Sequence, residues 1–129
     1  MKRLVDFDRV AIGVIDQDAG VFWRIHASGV FCEGQEPGTG TPLEGSITER
    51  VLATGQSYLR EDRGAGDIFS SDPARQRVGL RSDLTVPLLS KGLVIGTLVV
   101  HSRRVGAYGP REQAILERLA DLIAPAVDN

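Results

Sequence analysis

The stretch Gly79-Leu80-Arg81-Ser82-Asp83-Leu84-Thr85-Val86-Pro87-Leu88-Leu89-Ser90-Lys91-Gly92-Leu93-Val94-Ile95-Gly96-Thr97-Leu98 carries the fold. From Ser82 to Leu89, apolar Leu84, Val86 and Leu88 alternate with Asp83 and Thr85. That period of two is the mark of a strand with one core face. Leu93 to His101 is nearly all apolar, as expected of a strand covered on both sides. Ser90-Lys91-Gly92 suits a tight turn between the two. By alternation Thr97, Val99 and His101 share one face of the second strand, and Leu98 and Val100 share the other.

Toward the N-terminus, the β-rich runs Val10–Ile15 and Val21–His26 flank a short Asp/Gly turn and read as a second hairpin. Residues 29–45 are rich in glycine, with Pro37 and Pro42, and read as one long loop. Ser46-Ile47-Thr48-Glu49 is a capping box. Its serine hydroxyl accepts from the Glu49 backbone N–H, and the glutamate reaches back to the Ser46 N–H. A helix from Ser46 to Thr54 follows, with Gly55 at a left-handed C-terminal position. Ser57–Arg60 suits a short strand, and Asp72-Pro73 opens a short helix through Arg77. Gly109-Pro110 starts a last helix with an apolar stripe of Ile115, Leu116, Leu119, Leu122 and Ile123, which Pro125 should end or kink. Hairpins at both ends predict an α+β fold: an antiparallel sheet with helices packed on it.

The bulk numbers bound the function. A chain of 129 residues is one domain's worth, and 42% hydrophobic with 25% charged residues is a globular balance. The formal net charge of -2 offers no general attraction to nucleic acid or to an anionic membrane. The lone cysteine, Cys32, cannot form an internal disulfide or supply a thiolate cluster. The longest apolar run, Leu93–Val100, is far short of the roughly 20 residues that span a bilayer. With no signal peptide at the start, the cytoplasm is the expected compartment.

The ordered set of features resembles the GAF domain family. Gly79-Leu80-Arg81-Ser82, the Val86-Pro87-Leu88 strand, the Lys91-Gly92 turn and the Ile95-Gly96-Thr97-Leu98 strand are similar to the family's central signature. Gly45–Gly55 followed by Tyr58–Asp62 resembles the preceding helix and strand, and Tyr108–Ala120 the closing helix. The resemblance runs from about Phe7 to Val127. Only Met1–Val5 precede the first strand, so the family's N-terminal helix is expected to be truncated or absent within a single domain over 1–129. The resemblance implies a GAF-like (profilin-like) sheet of about six antiparallel strands. Helices cover one face, and loops and short helices close a ligand pocket on the other. It also implies a non-catalytic small-molecule sensor that pairs as a homodimer. The sensor would sit in a larger bacterial protein, upstream of a histidine kinase, diguanylate cyclase or transcription-regulating output domain in the same chain. The other functional reading is a structural dimerisation module with a vestigial pocket.

Several chemical possibilities fall away on residue types. The stretch Arg75–Ser82 lacks the cysteine and histidine of bilin-attaching relatives. One cysteine cannot complete a thiol redox cycle of the methionine sulfoxide reductase kind. Ser102-Arg103, Tyr108 and Glu112-Gln113 match the cyclic-nucleotide pattern of the family only in degraded form. No serine sits in a readable His/Asp triad, and no phosphate-binding loop is present. What remains is a candidate ligand-binding face. If Leu84 and Val86 pack on the helices, Asp83 and Thr85 look into the pocket, together with Thr97 and His101. Arg81 could meet a carboxylate or phosphate. Phe69, Trp23 and Phe31 could line the cavity or serve as plain core. The ligand, and hence any cofactor, is not named by the sequence.

Overall fold

The computed structural model describes residues 5–30, 36–62 and 68–128. In chain order its strands are β1 (Arg9–Asp16), β2 (Val21–Gly29), β3 (Gly40–Pro42), β4 (Tyr58–Arg60), β5 (Ser82–Ser90) and β6 (Leu93–Ser102). Helix α1 (Ile47–Thr54) precedes β4, α2 (Asp72–Arg77) precedes β5, and α3 (Pro110–Val127) closes the chain. The strands form one sheet in the order β3-β2-β1-β6-β5-β4, antiparallel throughout. The predicted α+β architecture is met, with its central strand β6 among the most apolar in the sequence.

The β5–β6 hairpin closes through a two-residue loop, with Ser90 paired to Leu93. Lys91 and Gly92 both take positive φ, 53° and 79°, which is what a two-residue hairpin turn of the mirror-image type demands. Leu84, Val86, Leu88, Leu98 and Val100 all point to one face. There they bury against Leu116, Ala120 and Ala124 of α3 and against Tyr108. The small residues at 120 and 124 let the helix lie close to the sheet. The Tyr108 hydroxyl donates to the Asp6 carbonyl at 2.8 Å, tying the start of α3 to the chain before β1. At the centre, β1 and β6 approach so closely that a Cβ on Gly96 would lie 2.3 Å from the Gly13 carbonyl oxygen. Only glycine fits there.

Three expectations need correction. Residues 40–42 are not loop but the edge strand β3, paired to Val21–Trp23 of β2. A glycine and a proline in three residues leave no periodicity to read, and an edge tolerates the proline. Of the two outcomes expected at Pro125, an end to α3 does not occur, since the helix continues to Val127. Pro125 and Asp121, whose carbonyl would otherwise bond to residue 125, are both exposed, so water can satisfy the freed group. The capping box at α1 is half-formed. Ser46 Oγ accepts from Glu49 N at 3.1 Å as predicted, but Glu49 Oε1 accepts from Gly45 N, because the Ser46 N–H is already committed to the Leu43 carbonyl.

Candidate functional site

Opposite α3, the sheet carries charge. Cross-strand pairing sets Arg9 beside His101, His101 beside Asp83, and Asp83 beside Arg60, a row across β1, β6, β5 and β4. Paired residues share a face, so this row lies on the side away from α3. The next row sets Ala11, Val99, Thr85 and Tyr58 side by side.

Asp83 does not open to a ligand. Arg60 Nε and Nη2 donate to its two carboxylate oxygens at 3.0 and 2.7 Å. The same guanidinium grips Asp72, from α2, through Nη1 and Nη2, both at 3.0 Å. Asp72 also accepts the backbone N–H groups of Ile68 and Phe69, both at 2.9 Å. One planar fork thus holds two buried carboxylates, a geometry lysine cannot reproduce. Burial by itself would lower the Arg60 pKa and raise that of Asp72. The hydrogen bonds and opposite charges reverse both effects, so Arg60 is held above its ordinary value and Asp72 is brought down to about 2.

Phe69 lies under this cluster, 5.1 Å from the Arg60 guanidinium and edge-on to Tyr58 at 5.6 Å. It packs with Ile47 and Val51 in a second small core rather than on the wall of the cavity. Arg81 is also elsewhere. Its Nη2 pairs with Asp62 at 2.8 Å on the surface. Trp23 is exposed and His26 is exposed. Phe31 and Cys32 lie outside the described residues.

The cavity itself lies between the sheet, the first turn of α1 and the approach to α2, with a volume of about 80 Å³. Three of the anticipated residues form its wall: Thr85, Thr97 and His101. His101 is 1% exposed, and its Nε2 lies 2.5 Å from Arg75 Nη1. A guanidinium can only donate, so Nε2 is the acceptor in this contact. Arg75 Nε in turn donates to Ser71 Oγ at 3.2 Å. Two further lining residues, Thr48 and Thr97, bring their hydroxyls to 3.4 Å and join α1 to β6. Thr85 is 2% exposed, and its Oγ1 makes no hydrogen bond within the described chain.

Arg24, Arg75, Thr48 and Ser71 also line the cavity, and sequence reading did not single them out. Arg24 reaches it because β2 bulges between its pairings at Ile12 and Gly13, so that Gly13 faces Arg24 instead of Ile25. The cyclic-nucleotide pattern positions have structural duties. Arg103 donates to the Val78 carbonyl, Tyr108 is core, and Glu112 Oε1 accepts the Gly109 N–H at 2.8 Å to cap α3. That hydrogen bond is also the main reason the Glu112 pKa is lowered. Among the described residues, no three His, Cys, Asp or Glu side chains gather at a metal-binding distance, and no helix is long and apolar enough to cross a membrane.

An antiparallel sheet with a long helix on one face and a small cavity under short helices on the other is an open-sheet α+β domain. The GAF domain family model matches residues 1–128, and the chain belongs to that family. Among solved structures it is similar to the GAF domain of a two-component sensor histidine kinase from Bacillus halodurans. That match has 23% identity and a TM-score of 0.80, over 97% of this chain and 84% of the other. The GAF domain of a phosphoenolpyruvate-protein phosphotransferase from Coxiella burnetii superposes at TM-score 0.81 with 16% identity, over 95% of this chain and 72% of that one. Free methionine-R-sulfoxide reductase from Neisseria meningitidis, in complex with its substrate, matches at TM-score 0.75 and 19% identity, over 95% and 68% of the two chains. At these identities the likeness carries the fold and not the activity. No curated protein sequence matches.

Proposed function

We propose that this chain is a non-catalytic, small-molecule-sensing GAF domain of a larger cytoplasmic bacterial signalling protein. The observation that carries this reading is the cavity against β5 and β6, whose buried wall includes the partnerless hydroxyl of Thr85. Small-ligand sites combine an enclosed volume with a few convergent polar groups. The similar histidine kinase domain supports a signalling context. The similar reductase, solved in complex with its substrate, supports a ligand-binding reading, while a single cysteine argues against thiol chemistry here.

The output follows from where the cavity sits. It touches α1 through Ile47 and Thr48, and β6 through Thr97 and His101. A ligand that binds better when α1 is drawn onto β6 shifts the population toward that state. An output domain in the same full-length chain, such as a histidine kinase, would read that shift. A thermal-shift screen of the 129-residue chain against cyclic nucleotides, haem, bilins and small organic acids tests the reading. Stabilisation by a compound that a crystal structure then places in this cavity supports it. If no compound stabilises the chain and the cavity is filled by side chains, the proposal is wrong.

A second reading is favoured by one observation. Leu119 and Leu122 of α3 are exposed, Leu122 by 77%, beside partly buried Ile115. A homodimer through that stripe, with a vestigial cavity, predicts that Leu122→Lys yields monomers by light scattering and leaves ligand screens blank.

A further inference from the structure

We propose that the cavity takes a short uncharged organic molecule, an alcohol or amide of about five or six non-hydrogen atoms, anchored at the Thr85 hydroxyl with its carbon body against Phe22, Ile47 and Val99. The inference rests on the sensing reading and specifies its ligand class. Its first support is a census of hydroxyls on the wall. Each can donate or accept, and several are committed within the protein. Ser46 Oγ donates to the Leu43 carbonyl and accepts the Glu49 N–H. Thr48 and Thr97 meet each other, and Ser71 accepts from Arg75 Nε. Thr85, 2% exposed, makes no hydrogen bond through Oγ1 within the described chain. A buried hydroxyl in that state costs stability. A guest that offers it a donor or an acceptor recovers that cost.

The surroundings of Thr85 are the second support. Its neighbours in the cross-strand row are Val99 on β6 and Tyr58 on β4. Phe22 of β2 and Ile47, at the start of α1, add apolar wall. One hydrogen-bonding point in apolar surroundings matches a guest with one polar end and a carbon body. The arginines on the wall do not require a charged guest, because both are engaged within the protein. Arg75 donates to His101 and Ser71, and the Arg24 guanidinium lies 5.5 Å from the centroid of the Phe22 ring. An ion entering here would exchange its hydration for hydroxyls and hydrocarbon, which is costly. A neutral alcohol or amide gives up far less.

Size is the third support. The volume, about 80 Å³, holds a few waters or a guest of the stated size. It does not admit a whole nucleotide or a porphyrin without opening. A guest so small binds weakly, with Kd on the order of a millimolar.

Amide NMR titration of the 129-residue chain tests this. The probes are isobutanol and isobutyramide, with isobutylammonium and isobutyrate as charged counterparts of nearly the same shape. At least one neutral probe should move the amide resonances of Thr85, Thr97 and Val99 to saturation, binding about tenfold or more tighter than its charged counterpart. Thr85→Val should weaken that binding by about tenfold. Thr85→Ser keeps the hydroxyl and should stay within about threefold of the parent. Equal loss in the two variants would assign the effect to packing and remove Thr85 as the anchor. A charged probe that binds as tightly as its neutral counterpart, or unchanged affinity in Thr85→Val, overturns the assignment and leaves sensing intact. Silence from all four probes, while a larger compound from the thermal-shift screen binds in the cavity, has the same meaning. Silence in both experiments overturns both readings.

Discussion

On one side of β5 and β6 stand Leu84, Val86, Leu88, Leu98 and Val100, closed by α3. On the other stand Asp83, Thr85, Thr97 and His101, closed by α1, α2 and the segments beside them. The same two strands supply both sets, residue by residue in alternation. The α3 face is held by many small dispersion contacts and apolar burial, so its stability is graded: each lost methyl group removes a fraction. The opposite face is held by a few groups that must all be present. Removing Arg60 would take from two buried carboxylates the guanidinium that grips both. A face of the first kind is a good foundation. One of the second kind is a poor foundation but a selective surface, since what enters must match its donors and charges.

Breaking the charged face should give the largest effect. Arg60→Met is expected to cost about 3–5 kcal/mol in urea unfolding, with Arg60→Lys milder because one ammonium can serve only part of the fork. A cost of Arg60→Met below about 1 kcal/mol would mean the cluster is not a structural support. The corresponding lesion on the apolar face, Leu84→Ala, should cost about 3 kcal/mol and leave ligand affinity within about twofold, because it removes packing behind the strand and not donors in front of it. A large affinity loss there would show that the two faces are coupled.

Acid discriminates the faces without mutation. The folded-state pKa of Asp72 is lowered to about 2, so its contribution is fully present above the unfolded value of about 4 and disappears as pH falls through about 2. Stability should decline by up to about 2 kcal/mol over that window in pH-dependent urea midpoints. The Arg60→Met variant should have lost that depression, and with it the decline. The smallest effect is expected at Thr85→Val, which should be neutral or stabilising by less than about 1 kcal/mol, because it replaces a hydroxyl without a partner by a methyl of similar shape. A destabilised Thr85→Val would mean the hydroxyl already has a use in the ligand-free protein.

Much of the fold was readable from local pattern. The period of two in Ser82–Leu89 separates the faces correctly, and Ser46, Gly55 and Gly109-Pro110 mark helix ends where the structure has them. The same parity puts Thr85, Thr97 and His101 on the cavity wall. It also puts Asp83 on the right face, but it is blind to the partner waiting there. Arg60 and Asp83 are 23 residues apart, and Arg75 and His101 are 26 apart, separations at which no local rule operates. Arg81 and Phe69 failed as wall residues for a related reason: each flanks the right elements but is claimed by a neighbour, Asp62 in one case and Tyr58 with Ile47 and Val51 in the other.

By itself, then, the sequence determined which residues lie front and back on the two central strands, because strand alternation is a property of the backbone alone. It also determined where helices begin, because capping uses residues three apart. Only the tertiary structure decided which buried charges neutralise one another and which arginines reach the cavity. The bulge that turns Arg24 inward in place of Ile25 is a register choice between β1 and β2. It falls at Gly13, where a Cβ would come within 3.0 Å of the Phe22 ring. A choice of that kind is made between strands, by packing, and leaves no mark on either strand read alone.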